Sequence, residues 1–135
     1  MCGITGIVTE KAKNYKVEIE KAVSSLKHRG PDANGIHFFD SCVLGHTRLS
    51  IVDLSTGGQP MLTSDNTLGI TFNGEIYGYK NIRQTLSDYN FKTNSDTEVI
   101  LALYRKHEKE MMNYLPGMFS FALWNERSEE HTSEL

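Results

Sequence analysis

The sequence predicts a layered α+β domain, and three observations carry that expectation. Strand-like segments come in runs, helical segments come in pairs between them, and the strand–helix alternation of a βαβ Rossmann pattern is absent. At 135 residues the chain is one domain or most of one, large enough to bury a substantial core. No internal repeat or low-complexity segment interrupts it.

Ile4 to Val8 is short and β-branched and reads as a strand starting almost at the terminus. Lys16 to His28 places Ile19, Ala22, Val23 and Leu26 at helical spacing, with Gly30 as the expected C-terminal cap and Pro31 as the stop. Gly35 to Phe39 and Cys42 to Val52 read as two strands around a turn at Asp40-Ser41. Alternation along the second puts His46 and Arg48 on one face. Asp53 to Thr67 is rich in turn formers and reads as a loop. Leu68 to Phe72 is a strand ending at Asn73-Gly74-Glu75, and Tyr77 to Leu86 is weakly helical. Ser95 and Glu98 have capping-box spacing before the apolar segment Val99 to Tyr104. A short helix over Glu108 to Leu115 ends at Pro116-Gly117, and Phe119 to Trp124 is the last strand.

Composition excludes several classes of function. A net charge of −3 leaves no electrostatic footprint for nucleic acid or an anionic membrane. No apolar run approaches a membrane span, and no signal-peptide pattern opens the chain, so the cytoplasm is the expected compartment. Cys2 and Cys42 are the only cysteines and are expected to be free thiols, Cys42 as a core residue. The histidines show no paired metal-ligand spacing and there is no CxxC, so no metal site is expected. Gly57-Gly58 lacks the Lys-Ser/Thr of a phosphate-binding loop.

The chemistry concentrates in a few positions. Removal of Met1 would give Cys2 a thiol and an α-amine on one backbone unit, the amine titrating near ~7.7–8.0 and the thiol near ~8.5. A terminal amine that takes the proton of its own nucleophile is a known form of covalent catalysis. Arg48 on an apolar strand fits either bidentate binding of a carboxylate or an internal salt bridge. Asn73-Gly74 reads as a type I′ hairpin turn or as oxyanion-hole donors, an Asn amide beside an unobstructed backbone N–H. Asp96 either complements the macrodipole of the helix it opens or holds a substrate ammonium.

Six segments together resemble one family: MCGITGIV at 1–8, HRGPD at 28–32, GHTRLSIVDLSTGGQPM at 45–61, NGEIYGYKNIR at 73–83, SDTEVILALY at 95–104 and LPGMFSFALW at 115–124. They resemble the glutaminase domain of glutamine-hydrolysing asparagine synthetases, class II glutamine amidotransferases of the N-terminal-nucleophile fold. The resemblance implies stacked antiparallel β-sheets with flanking helices, incomplete here. It implies Cys2 as nucleophile and Asn73 and Gly74 as the oxyanion hole. It assigns the glutamine pocket to Arg48, Leu49, Ile51, Val52, Asn73, Gly74, Glu75 and Asp96, with Arg48 on the α-carboxylate and Asp96 on the ammonium. It further implies a separate synthetase domain, absent here, that uses ATP, Mg2+ and aspartate, and a homo-oligomeric parent. The family has Asn where Gly78 stands, a position with no catalytic role assigned.

Residues 1–126 are therefore expected to form a partial amidotransferase domain. Residues 127–135 (RSEEHTSEL) resemble read-through of a sequencing-library adapter. Removing their one Arg and three Glu from the 14 basic and 17 acidic residues leaves a net charge of −1. Two rival readings stand beside the glutaminase: a non-catalytic glutamine-binding regulatory module, and an inactive fragment whose missing strands expose a sheet edge.

Overall fold

The computed structural model describes residues 1–49 and 58–127. Gly3–Val8 (β1) pairs antiparallel along its whole length with Cys42–Arg48 (β3), Gly3 opposite Thr47 and Val8 opposite Cys42. Ala33–Phe38 (β2) pairs on the other edge of β3, giving a first sheet of order β1-β3-β2. Met61–Leu62 (β4), Leu68–Ile76 (β5) and Gly117–Asn125 (β6) form a second antiparallel sheet of order β4-β5-β6.

Side-chain alternation on the strands sorts the layers. On β3, Thr47 points outward and its Oγ1 donates to the Leu26 carbonyl at 3.1 Å. Helix Lys16–Ser25 (α1) covers that outer face, with Ile19 and Val23 packed against Val43 and Ala12. Leu44 and Cys42 point the other way, into a cluster with Phe39, Leu62 and Trp124 between the sheets. The far face of the second sheet sends Leu68, Ile70, Phe72 and Ile76 into the largest core cluster, shared with Val99, Ile100 and Leu103 of helix Asp96–His107 (α3). The order is thus helix, sheet, sheet, helix, the layered α+β arrangement that the strand and helix pattern predicts, with the stacked antiparallel sheets that the family resemblance implies. A short helix Tyr79–Gln84 (α2) leads from β5 toward α3. No described helix is long and apolar enough to cross a membrane.

Several boundaries differ from expectation, each for a tertiary reason. The helix expected to reach His28 ends at Ser25, and Leu26 to Arg29 form turns. Gly30 is not its cap; it is buried where an added Cβ would lie 2.4 Å from the Arg48 nitrogen, so the chain can press against the end of β3. The strand expected to stop before Asn73 runs on to Ile76, because β6 pairs with Asn73, Gly74 and Glu75 through Ser120, Phe119 and Met118. That pairing overturns the hairpin-turn reading of Asn73-Gly74. Gly74 has φ +147°, and a Cβ there would meet the Met118 carbonyl at 2.3 Å, so β6 passes too close for any side chain. The expected loop up to Thr67 contains β4, a two-residue strand too short to leave a periodic signal. The expected short helix after α3 is a 3-10 helix, Glu108–Tyr114. The strand expected to continue to Val52 is described as far as Arg48; residues 50–57 and 128–135 lie outside the described residues, and so does most of the expected read-through tail.

The capping box at the start of α3 is also rearranged. Ser95 Oγ accepts from the Thr97 N–H at 3.1 Å, but the Glu98 carboxylate does not reach back to Ser95. It turns to the preceding loop and accepts from Lys92 N at 3.0 Å, Thr93 N at 2.7 Å and Thr93 Oγ1 at 2.7 Å. Glu98 is buried, so its deletion leaves these donors without a partner. We expect Glu98→Ala to lower unfolding free energy by about 2–3 kcal/mol in urea denaturation, with Glu98→Gln intermediate.

Candidate active site

Cys2 sits one residue before the Gly3–Thr47 pair, which sets it beside Arg48 at one end of the first sheet. The segment His28 to Asp32 wraps this end. Arg29 Nε donates to the Cys2 carbonyl at 3.0 Å, Pro31 bridges to Arg48, and the Asp32 N–H donates to the Arg48 carbonyl at 3.0 Å. One turn thereby grips both the residue that carries the thiol and the backbone of the arginine. Cys2 is half-buried and Met1 is 71% exposed, so an aminopeptidase can reach the bond whose cleavage would free the Cys2 amine.

Two buried contacts align the sheets at this end. Thr71 Oγ1 donates to the Gly45 carbonyl at 2.9 Å, and His46 Nε2 donates to the Phe72 carbonyl at 3.1 Å. Successive residues of β3 thus meet successive residues of β5, so the two strands run in the same direction across the sandwich. The end of β3 that carries Arg48 is then the end of β5 that carries Asn73, Gly74 and Glu75. Arg48 shares the face of His46 and so faces the second sheet. Asn73 shares the face of Thr71, which reaches the first sheet. Asn73 is half-buried, while Gly74 and Glu75 are exposed.

The N-terminus of α3 closes the group. Asp96 Oδ2 accepts from the Ile76 N–H at 3.2 Å, tying the helix start to the last residue of β5. Burial raises the Asp96 carboxyl above its ordinary range. Hydrogen bonds from Ile76, Thr97 and its own amide oppose the rise, and the neighbouring charge of Glu75 adds to it. The structure therefore brings Cys2, Arg48, the segment from Asn73 to Glu75, and Asp96 to one end of the sandwich. Leu49 follows Arg48 at that end; Ile51 and Val52 lie outside the described residues.

Other titratable groups are set apart from this end. Cys42 is buried between the sheets, and burial, with a smaller contribution from Glu126, pushes its thiol up to about 11. It has the character of a core residue. Among the described residues no group of three or more His, Cys, Asp or Glu side chains is placed to hold a metal. A cleft beside α2 and α3, lined by Leu86, Tyr89, Ala102 and Arg105 among others, contains none of the candidate residues. Sequence reasoning assigned no role to Arg29, although it stands in the HRGPD segment; a basic residue in a turn gives no hint that it will bond a carbonyl 27 residues away. Gln59 was likewise missed.

A family model described as a glutamine amidotransferase domain matches residues 1–133. The chain is 40% identical over 131 residues to the glutamine-hydrolysing asparagine synthetase 3 of Arabidopsis thaliana, covering 96% of this chain and 23% of that protein. It is also 40% identical over 131 residues to the glutamine-hydrolysing asparagine synthetase 1 of Bacillus subtilis, covering 93% and 21%. Among solved structures, the glutamine phosphoribosylpyrophosphate amidotransferase of B. subtilis, complexed with ADP and GMP, superposes with a TM-score of 0.71 at 20% identity. That match covers 93% of this chain and 35% of the other and speaks to the fold alone. The chain thus spans less than a quarter of the length of these asparagine synthetases. With nearly all of its residues matched, the chain belongs to the glutamine amidotransferase domain family.

Proposed function

We propose that this chain hydrolyses glutamine to glutamate and ammonia through a thioester on Cys2, as the glutaminase part of a longer asparagine synthetase. The observation that carries the reading is the convergence of Cys2, Arg48, Asn73-Gly74-Glu75 and Asp96 at one end of the sandwich. Once Met1 is removed, the Cys2 amine accepts the thiol proton and the sulfur attacks the carboxamide carbon of glutamine. The carbonyl oxygen becomes an oxyanion that accepts from the Asn73 side-chain amide and the Gly74 N–H. Collapse breaks the C–N bond, the Cys2 ammonium returns its proton to the leaving nitrogen, and ammonia departs. Water then cleaves the thioester, and glutamate leaves.

Specificity in this reading comes from charge at the other end of the substrate. Arg48 binds the α-carboxylate, Asp96 the α-ammonium, backbone groups of Leu49, Ile51 and Val52 line the pocket, and Glu75 lies beside them. A glutamine within a peptide has neither charge, so only the free amino acid is held. Residues 1–126 constitute the amidotransferase portion. ATP, Mg2+ and aspartate belong to the synthetase portion of the parent, and no residue described here is assigned to them. The reaction belongs to a reducing compartment, the cytoplasm, a reading that the two free thiols support.

Glutamate release from glutamine by the Met1-trimmed chain, run beside Cys2→Ala, tests the reading. Release is expected only with Cys2; a folded, trimmed protein that releases none would leave the motifs without an assembled site. The acid side of the pH profile is a second test. Because burial raises Asp96, its carboxylate protonates at a higher pH than an ordinary aspartate near ~3.9. The KM for glutamine is therefore expected to climb on acidification at a pH above the ordinary aspartate range, whereas Asp96→Asn should show a high KM across the same range. A wild-type KM that stays flat through that range would remove Asp96 from the ammonium site.

A further inference from the structure

One residue before Asn73, both backbone polar groups of Phe72 are held by side chains where a strand would be expected to hold them. The pairing of β4 with β5 sets Met61 opposite Ile70 and Leu62 opposite Gly69. Continued by two residues, the same register puts Gln59 opposite Phe72, but β4 begins only at Met61. The Phe72 N–H instead donates to the Gln59 side-chain Oε1 at 2.6 Å. The Phe72 carbonyl accepts from His46 Nε2, across the gap between the sheets, at 3.1 Å. Gln59 is itself fixed on two sides. Its backbone carbonyl lies against Gly35 of β2, where an added Cβ would approach it to 2.1 Å, and its Nε2 reaches Thr97 Oγ1 of α3 at 3.5 Å.

We propose that His46 and Gln59 are positioning residues for glutamine hydrolysis, a two-sided clamp on Phe72 that sets the orientation of Asn73 and Gly74. The proposal rests on the reading of Asn73 and Gly74 as the oxyanion donors. The Phe72 carbonyl carbon is bonded to the Asn73 nitrogen, so a hydrogen bond to that carbonyl fixes the peptide plane that leads into the site. The Phe72 N–H fixes the plane before it. Oxyanion donors act only when held about 3 Å from the developing charge, and a displacement near 1 Å costs on the order of 100-fold in rate. On the opposite edge β6 supports Asn73 and Gly74 through Ser120 and Phe119. On the clamp's edge two side chains do the work of a strand. His46 is 1% exposed, and desolvation keeps its imidazole neutral. Because its partner is a carbonyl, Nε2 carries the proton.

The test compares His46→Leu and Gln59→Met, which remove the donor and the acceptor, with His46→Gln and Gln59→Glu, which keep one at the same place. The disruptive variants are expected to lower kcat by about 10- to 100-fold with KM for glutamine changed less than about threefold. The conservative variants should recover most of that loss. Alkylation of Cys2 by iodoacetamide, a displacement that forms no oxyanion, should proceed at the wild-type rate in all four. In backbone amide NMR spectra, Asn73 and Gly74 should shift in the disruptive variants and return in the conservative ones, while Val99 to Leu103 stay in place. Unmoved Asn73 and Gly74 amides, or an unchanged kcat in the folded variants, would overturn the clamp. Asn73→Ala, measured alongside, separates the two claims. If it loses kcat and the clamp variants do not, only the clamp fails; if it retains kcat, the oxyanion-hole reading itself fails.

Discussion

The geometry of this domain depends on how β3 and β5 are brought face to face. Two sheets packed only through apolar side chains can slide, since hydrophobic contact has no direction. Here two buried hydrogen bonds, Thr71 to the Gly45 carbonyl and His46 to the Phe72 carbonyl, give the contact a register. Each bond satisfies a group that would otherwise be buried without a partner, so a slip of one residue would cost both at once. That register decides that the end of β3 with Arg48 and the end of β5 with Asn73 are the same end.

The remaining parts of the site are tied to this frame from three directions. The His28 to Asp32 turn fastens Cys2 and Arg48 together, with Gly30 allowing the close approach to β3. Strand β6 holds Asn73 to Glu75 from one side. The N-terminus of α3 is joined to β5 through Asp96 and Ile76, and its own start is fixed by Ser95 and by the Glu98 anchor on the preceding loop. A chain of neutral and charged hydrogen bonds thus replaces any single large contact in building the cluster. Beyond β6, no further described strand pairs with its outer edge.

What could be read from the residues followed the range of the signal. The opening strand, the helix over 16–25 and the helix opened by Ser95 have local patterns, and each was legible to within a few residues. The extension of β5 to Ile76 was not, because it depends on pairing with a strand more than forty residues later, and Asn-Gly imitates a turn when that partner is out of view. Gly30 looked like a helix cap because glycine after a helix usually is one; its use here is contact with β3. The candidate pocket residues were named through family resemblance, since an arginine on a strand or an aspartate at a helix start fits two roles equally well alone. Arg29 and Gln59 gave no signal, as their importance lies in backbone groups distant in sequence that they happen to meet.

The covalent step on Cys2 is the point at which the proposed chemistry can be tested most directly. Acid-quenching the Met1-trimmed protein during turnover of glutamine, then digesting it and measuring peptide masses, should show one added glutamyl group on the N-terminal peptide bearing Cys2. The adduct should be labile to hydroxylamine, as a thioester is. A protein that hydrolyses glutamine with no such adduct on Cys2, or with the adduct on Cys42, would contradict the account.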